Sequence, residues 1–118
     1  MENNYIRLKV KYKDETHPIK LGDRKRTIHE LIESIITSLN TPAKREDGSI
    51  REGLNIQHYD RNGMPVVFRL SIETTDENGK TDEKKLSEQT PDGNICYTTD
   101  YEIKDGVVLV LDSKLIPG

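Results

Sequence analysis

The chain has 118 residues, of which 33% are charged and 32% are hydrophobic, and its net charge is −3. This length fits one domain and excludes two independent cores, because a domain of this size buries roughly 65% of the surface that its unfolded chain exposes. The negative charge gives no bulk electrostatic reason to bind phosphate backbones, so nucleic acid is not expected as a partner.

The cysteine content and the apolar runs bear on the cellular compartment. Cys96 is the single cysteine, which excludes an intramolecular disulfide and suits a reducing compartment. Residues 1–4 lack the basic and apolar regions of a signal peptide, and no apolar run approaches the ~20 residues of a membrane helix. We therefore expect a cytoplasmic protein with no membrane partner.

The chain begins with the pattern of a β-hairpin. Polar and apolar residues alternate strictly from Tyr5 to Tyr12, which predicts a half-buried strand. After a polar turn, Ile19 and Leu21 alternate with Lys20 and predict a second strand that folds back on the first.

A helix is predicted next. Thr27 and Glu30 form the Thr-x-x-Glu pattern of a capping box, so the helix should begin near Ile28. Pro42 ends it, since the residue before a proline disfavours helical backbone. Five apolar residues fall on one stripe that must pack on a sheet: Leu31, Ile32, Ile35, Ile36 and Leu39.

Turns dominate the middle segment, residues 43–94, and its polar first part, 43–53, is predicted to be a long loop. The pairs Asn62-Gly63 and Asn78-Gly79 each favour a tight hairpin turn. Alternation at 54–58 predicts a strand before the first turn, and the apolar run 66–72 predicts a strong strand between the two turns. The second turn, with a short return strand, therefore adds an extra hairpin to the sheet.

The final strand is predicted to complete the core. In the run 107–111 we expect Val108 and Val110 to point into the core and Leu109 and Leu111 to point outward. Residues 112–118 are expected to form a short polar tail. The order of elements predicts an α+β domain over residues 1–118, in which a mixed sheet packs on one main helix and the last strand lies parallel beside the first. This is a β-grasp arrangement.

Two motifs carry a resemblance to a known family. Thr27-Ile28-x-Glu30 at the helix start and Asp100-Tyr101-x-Ile103 before the last strand are similar to motifs of ubiquitin and its relatives. The resemblance covers roughly residues 5–40 and 95–118. It departs in the longer middle segment and in the tail, which has one terminal glycine where ubiquitin has two. Bacterial ubiquitin-like proteins vary in these ways, so the resemblance implies a bacterial member.

The resemblance implies a function for the tail. Gly118 would be activated as an adenylate, passed on as a thioester and joined to a target amine by separate E1-like activating and E2-like conjugating enzymes, with a JAB-type metalloprotease as a further partner. A residue without a side chain can thread a narrow enzyme tunnel, and Pro117 would stiffen that passage. The alternatives are a terminus that merely ends in glycine, or a non-conjugated ubiquitin-like adaptor or assembly subunit that acts by binding alone.

An exposed apolar patch is the second candidate site. If Leu109 and Leu111 point outward, they lie beside Val67 and Arg69 and form a surface on which partner proteins dock. The alternative is that the extra hairpin covers this face.

The remaining candidates each have a plainer alternative. Cys96 is either a thioester-carrying nucleophile or a packed thiol, and its semi-apolar surroundings favour the packed thiol. The histidines lack metal-ligand spacing, and Thr74 and Lys85 stand where a calcium loop requires acidic ligands, so no metal or cofactor is expected. No catalytic motif is present and an enzyme is not expected. Six basic residues either bind an acidic surface, accept an isopeptide bond or are simply solvated: Lys9, Lys11, Lys13, Arg24, Lys25 and Arg26.

Overall fold

The structure is a computed structural model that describes residues 5–101 and 103–115. Helix α1 and the strands occur in the following chain order: β1 (Tyr5–Tyr12), β2 (Glu15–Gly22), α1 (Ile28–Asn40), β3 (Ala43–Lys44), β4 (Ile50–Arg51), β5 (Val66–Thr75), β6 (Thr81–Leu86) and β7 (Val108–Leu115). A single 3-10 turn at Thr98–Tyr101 precedes the last strand.

Five of these strands form one mixed sheet in the order β2-β1-β7-β5-β6. Strands β1 and β7 are parallel, whereas the other neighbouring pairs are antiparallel. Helix α1 lies on one face of the sheet and contacts β2 and β5. The domain is therefore α+β, with a mixed five-stranded sheet and a helix, and it is compatible with the predicted β-grasp arrangement.

Helix α1 starts where the capping box predicts. The Thr27 hydroxyl accepts a hydrogen bond from the Glu30 amide at 3.0 Å, and the Glu30 carboxylate accepts one from the Thr27 amide at 3.1 Å. These bonds satisfy two amides that the first helical turn would otherwise leave without partners. The side chains that α1 buries against the sheet are those of the predicted stripe together with Ile28. In the described part of the chain, no helix is long and apolar enough to cross a membrane.

The last turn of α1 is capped by a side chain from β4. Arg51 is only 7% exposed, and its guanidinium donates hydrogen bonds to the carbonyl oxygens of Leu39 at 2.9 Å, Ser38 at 3.3 Å and Thr41 at 3.3 Å. A helix end leaves carbonyl groups without helical partners, and a cation there also interacts favourably with the helix dipole. The β3–β4 hairpin, predicted only as a polar loop, thus delivers the group that closes the helix.

The segment after β4 is held by hydrogen bonds to the end of α1. The Asn40 side chain accepts a hydrogen bond from the Ile56 amide at 2.6 Å and donates one to the Ile56 carbonyl at 3.1 Å. The prediction of a strand at 54–58 is wrong. The backbone of Ile56 is hydrogen-bonded to the side-chain amide of Asn40, where a strand would be bonded to a neighbouring strand. Beyond Ile56, an isolated bridge pairs Tyr59 with Pro65.

Both predicted Asn-Gly turns are confirmed. In each, an aspartate (Asp60 or Asp76) precedes the pair, and its carboxylate accepts hydrogen bonds from two amides of the turn. Gly63 and Gly79 have φ of +77° and +80°, in the left-handed region that a side chain disfavours. The second turn joins β5 to β6 in an antiparallel hairpin, as predicted for this turn.

The face assignment within β7 is the reverse of the prediction. Leu109 and Leu111 are 0% and 1% exposed, whereas Val108 and Val110 are half-buried on the opposite face. Leu109 lies opposite Val10 of β1, which belongs to the core, and paired residues share a face of the sheet. The run is apolar at every position, so alternation could not indicate which face is buried.

Strand β7 also continues beyond its predicted end. It pairs with β5 as far as the register Val66 to Leu115. Residues 112–115 of the predicted tail therefore belong to the sheet.

Candidate partner-binding face

The predicted conjugation terminus, Pro117 and Gly118, lies outside the described residues. Leu115, which is paired with Val66, is the last residue of β7. The backbone is thus held in the sheet to a point three residues before Gly118.

The four residues of the predicted patch do not come together on one surface. Val67 is 41% exposed and Arg69 is exposed, and both lie on the face of β5 that points away from α1. Leu109 and Leu111 lie on the helix side of the sheet and are buried. The predicted patch is therefore wrong in its two leucines, because the register of β7 turns them into the core.

The side of the sheet that faces away from α1, here called the outer face, carries Val108 and Val110 instead. Lys9 is paired with Val108 on one side, and Glu73 is paired with Val108 on the other. Both valines are half-buried. The centre of the outer face is thus an apolar strip bordered by charged side chains.

An ion pair crosses this strip. The Lys11 ammonium lies 2.8 Å from each carboxylate oxygen of Glu73. Lys11 belongs to β1 and Glu73 to β5, so their side chains meet over β7, which lies between those strands. The Glu73 side chain is 15% exposed and that of Lys11 is 43% exposed. A partly exposed ion pair of this kind stabilises a protein by up to ~1 kcal/mol.

A smaller apolar area lies at the start of β5. Tyr59 is 62% exposed and is bridged to Pro65, which shares a face with Val67 because alternate residues of an extended chain point the same way. This area continues the outer face towards the turn at residues 60–64. Tyr59 is not predicted as a surface residue, because the sequence pattern does not distinguish an exposed tyrosine beside a turn from a tyrosine in the core.

The structure separates the basic residues that the sequence places in one group. Lys9 and Lys11 belong to the outer face of β1, whereas Lys13 lies in the β1–β2 turn with its ammonium 5.4 Å from the centre of the Tyr12 ring. Arg24, Lys25 and Arg26 follow β2 at the opposite end of the sheet. These six side chains therefore do not form one continuous basic face.

His17 is the buried histidine of the described residues. It is 6% exposed, and its Nε2 atom lies 3.5 Å from a Glu15 carboxylate oxygen without making a hydrogen bond to any described group. Burial lowers the pKa of His17 and the nearby Arg51 guanidinium lowers that pKa further, while Glu15 opposes both effects. His17 borders an open groove of about 520 Å³ between the β1–β2 turn and residues 54–57.

The other two histidines bind α1 to the segments around it. His29 Nδ1 lies 3.1 Å from a Glu88 oxygen, and His58 Nε2 lies 2.8 Å from an oxygen of Glu33. These pairs connect the helix surface with the chain on both sides of the β5–β6 hairpin. They are structural contacts between exposed side chains.

Cys96 is packed in the core. It is 5% exposed, its amide donates to the Glu88 carbonyl at 2.9 Å, and its carbonyl accepts from the Ile28 amide at 3.0 Å. The structure thus agrees with a packed thiol. Within residues 5–101 and 103–115, no group of three histidine, cysteine, aspartate or glutamate residues could hold a metal ion.

Comparisons with known proteins complete this description. No protein-family model matches the chain, and searches of curated proteins and of solved structures gave no significant match. The fold is accordingly described by its own topology, a mixed five-stranded sheet with a helix on one face, compatible with a β-grasp arrangement.

Proposed function

We propose that this chain is a ubiquitin-like protein modifier of the bacterial kind, joined through Gly118 to target amines by separate E1-like and E2-like enzymes. The observation that carries the proposal is the sheet order, with β7 parallel to β1 and α1 across the same sheet. This topology is compatible with the β-grasp arrangement that the two ubiquitin-like motifs imply, and it supports the proposal for that reason.

The second motif contributes a local support. The Asp100 carboxylate accepts a hydrogen bond from the Tyr97 amide at 2.8 Å, and the Tyr101 hydroxyl accepts one from the Ser87 amide at 3.2 Å. Ile103 packs against the core. The motif thus stabilises the turn before β7 and connects that turn to the end of β6. The aspartate and the tyrosine of the motif each make a hydrogen bond that depends on their side chain.

In this proposal the chemistry belongs to the partner enzymes. The chain supplies a carboxylate at Gly118 and a surface that the enzymes recognise. The outer face around Val108 and Val110 is the candidate for that surface, since it is apolar at its centre and charged at its border. A JAB-type metalloprotease would recognise the same face when it releases the modifier from its target.

Intact-mass analysis tests the conjugation. The full chain is incubated with ATP and a candidate activating enzyme, and the expected products are an adenylate at Gly118 and a thioester to an enzyme cysteine. A chain lacking Gly118 is the matched control and should give neither product. If the full chain is not charged under conditions in which the same enzyme preparation charges its known modifier, the conjugation proposal is wrong.

A non-conjugated adaptor is the second candidate, and the outer face favours it. The apolar centre of that face, around Val108 and Val110, is a surface on which a partner protein can dock without any covalent step. In this case, deletion of Gly118 would leave the set of bound partner proteins in the native cell unchanged, and no covalent adduct would be detected with either form.

A further inference from the structure

A cationic cavity lies between the end of β2 and the turn before β7. Its volume is about 360 Å³. Four cationic residues line it: Arg24, Lys25, Arg26 and Lys104. Asp23 is the carboxylate residue in the described part of the lining. The excess of positive charge is local, because the chain as a whole carries a net charge of −3. Two threonines and three apolar residues complete the described lining: Thr98, Thr99, Ile6, Leu31 and Ile103.

Arg26 forms the buried wall of the cavity. It is 7% exposed, and its Nη1 atom donates a hydrogen bond of 2.6 Å to the Gly22 carbonyl. Its Nε atom is buried and has no hydrogen-bond partner among the described groups. Buried charged groups in folded proteins are normally paired and hydrogen-bonded, so this guanidinium is incompletely compensated.

The carboxylates near Arg26 do not fully compensate its buried positive charge. Burial lowers the pKa of Arg26, and repulsion from Arg24 lowers that pKa further, while Glu30 and Asp23 oppose the shift to a smaller extent. The Glu30 carboxylate accepts the hydrogen bond from the Thr27 amide in the capping box. An additional negative group in the cavity would therefore meet a positive potential.

Hydrogen bonds hold the backbone of Arg26 in place. The Arg26 amide donates to the Thr98 hydroxyl at 3.2 Å, and the Thr98 amide donates to the Arg26 carbonyl at 2.8 Å. The Lys25 ammonium lies 4.3 Å from the centre of the Tyr97 ring. The segment that carries the charges is thus tied to the 3-10 turn and does not have to be ordered by a ligand, which lowers the entropic cost of binding.

We propose that this cavity, here called the cationic cavity, binds an oxyanion, either a phosphate group or a carboxylate. Arg24 and Lys104 are exposed at its mouth and would donate charge-assisted hydrogen bonds, while Arg26 supplies the fixed charge behind them. The volume suits one such group with its hydrating waters or with a short attached chain. The described lining residues do not include the predicted conjugation terminus, so the proposal does not rest on conjugation.

The test is a titration of the ¹⁵N-labelled full chain followed by NMR. In one arm the probe is sodium phosphate, with sodium chloride added so that ionic strength is constant. In the other arm the probe is a peptide of consecutive glutamates. Saturable shifts are expected for amides of Arg24, Arg26, Thr99 and Lys104 in the arm that supplies the right oxyanion.

A pair of charge-matched variants separates this site from general electrostatics. The variant R24Q/K104Q removes one arginine and one lysine from the mouth of the cavity, and should weaken binding by at least about tenfold. The variant R61Q/K44Q removes the same two residue types from exposed positions elsewhere, and should bind as the unmodified chain does.

Each outcome decides the matter. Saturation by phosphate alone identifies a phosphate group as the ligand, and saturation by the peptide alone identifies a carboxylate of an acidic segment. Saturation by both shows that either oxyanion is accepted. The proposal is wrong if neither probe gives saturable shifts, or if R61Q/K44Q loses as much affinity as R24Q/K104Q.

Discussion

Strands β1, β2 and β7 with α1, here called the helix–sheet core, are stabilised by buried side chains, whereas residues 43–65, here called the turn segment, are stabilised mainly by hydrogen bonds to backbone. In the core, Leu8 and Leu109 are almost completely buried. In the turn segment, Ile50 and Tyr59 are 67% and 62% exposed, and Ile56 is the buried hydrophobic residue. The two regions should therefore be destabilised by different kinds of mutation.

The largest effect is expected in the helix–sheet core. Leu109→Ala leaves a cavity between β7 and α1 and should lower the free energy of unfolding by about 2–5 kcal/mol. Val108→Ala, on the half-buried outer face, should cost less than half as much. Urea unfolding followed by circular dichroism measures both. A larger loss from Val108→Ala would mean that the buried face of β7 is assigned incorrectly.

Next in size is the loss of the guanidinium that caps α1. Arg51→Ala leaves the carbonyl groups of Leu39 and Ser38 without that donor and should cost about 2–3 kcal/mol in the same measurement. Arg45→Ala is the matched control, since Arg45 is an exposed arginine of the same hairpin, and it should change stability by less than about 0.5 kcal/mol. Equal effects of the two substitutions would contradict a specific cap.

A backbone substitution in the turn segment should have a smaller effect. Gly63→Ala places a side chain at a φ of +77° and should cost about 1–2 kcal/mol. Gly63→Asn should cost less, because asparagine tolerates the left-handed region. Thermal unfolding measures the stability of both variants. If Gly63→Ala were more stable than Gly63→Asn, the turn would have changed its conformation.

The smallest effect expected is a pH dependence from His17. Because its pKa is lower in the folded chain than the ordinary value of 6.5, the unfolded chain binds the proton more readily. Stability should therefore be fully present above about pH 6.5 and decline as the pH falls towards the folded pKa, with a slope below about 1.4 kcal/mol per pH unit because one proton is involved.

Denaturant titrations between pH 5 and 8 on the unmodified chain and on His17→Gln measure this dependence. The variant should lose that part of the slope, whichever way its overall stability changes. An unchanged slope would assign the pH dependence to other groups.

The sequence was sufficient for those elements whose pattern has one physical solution. The capping box of Thr27 and Glu30 predicted the start of α1, and the two Asn-Gly pairs predicted their turns, because in each case a local hydrogen bond or a positive φ restricts the residue type. The parallel pairing of β1 and β7 followed from the order of the elements.

Other features depend on contacts between distant residues. The face of β7 could not be predicted from a continuous apolar run, and it was fixed only by pairing with Val10 and Leu70. The capping by Arg51 and the burial of Arg26 also escaped prediction, since in sequence each is one more charged residue in a polar stretch. Of the four residues of the predicted patch, Val67 and Arg69 are exposed on β5, whereas Leu109 and Leu111 are buried on β7.

The parallel pairing of the first and last strands has a mechanical consequence. A force that pulls the start of β1 away from the end of β7 acts along the two strands in opposite directions. It therefore shears their hydrogen bonds together instead of opening them one after another, and it also loads the Lys11–Glu73 pair that lies across β7. Among the described strands, the edge strand β6 has a partner on one side only, so tension applied there should peel it away at a much lower force.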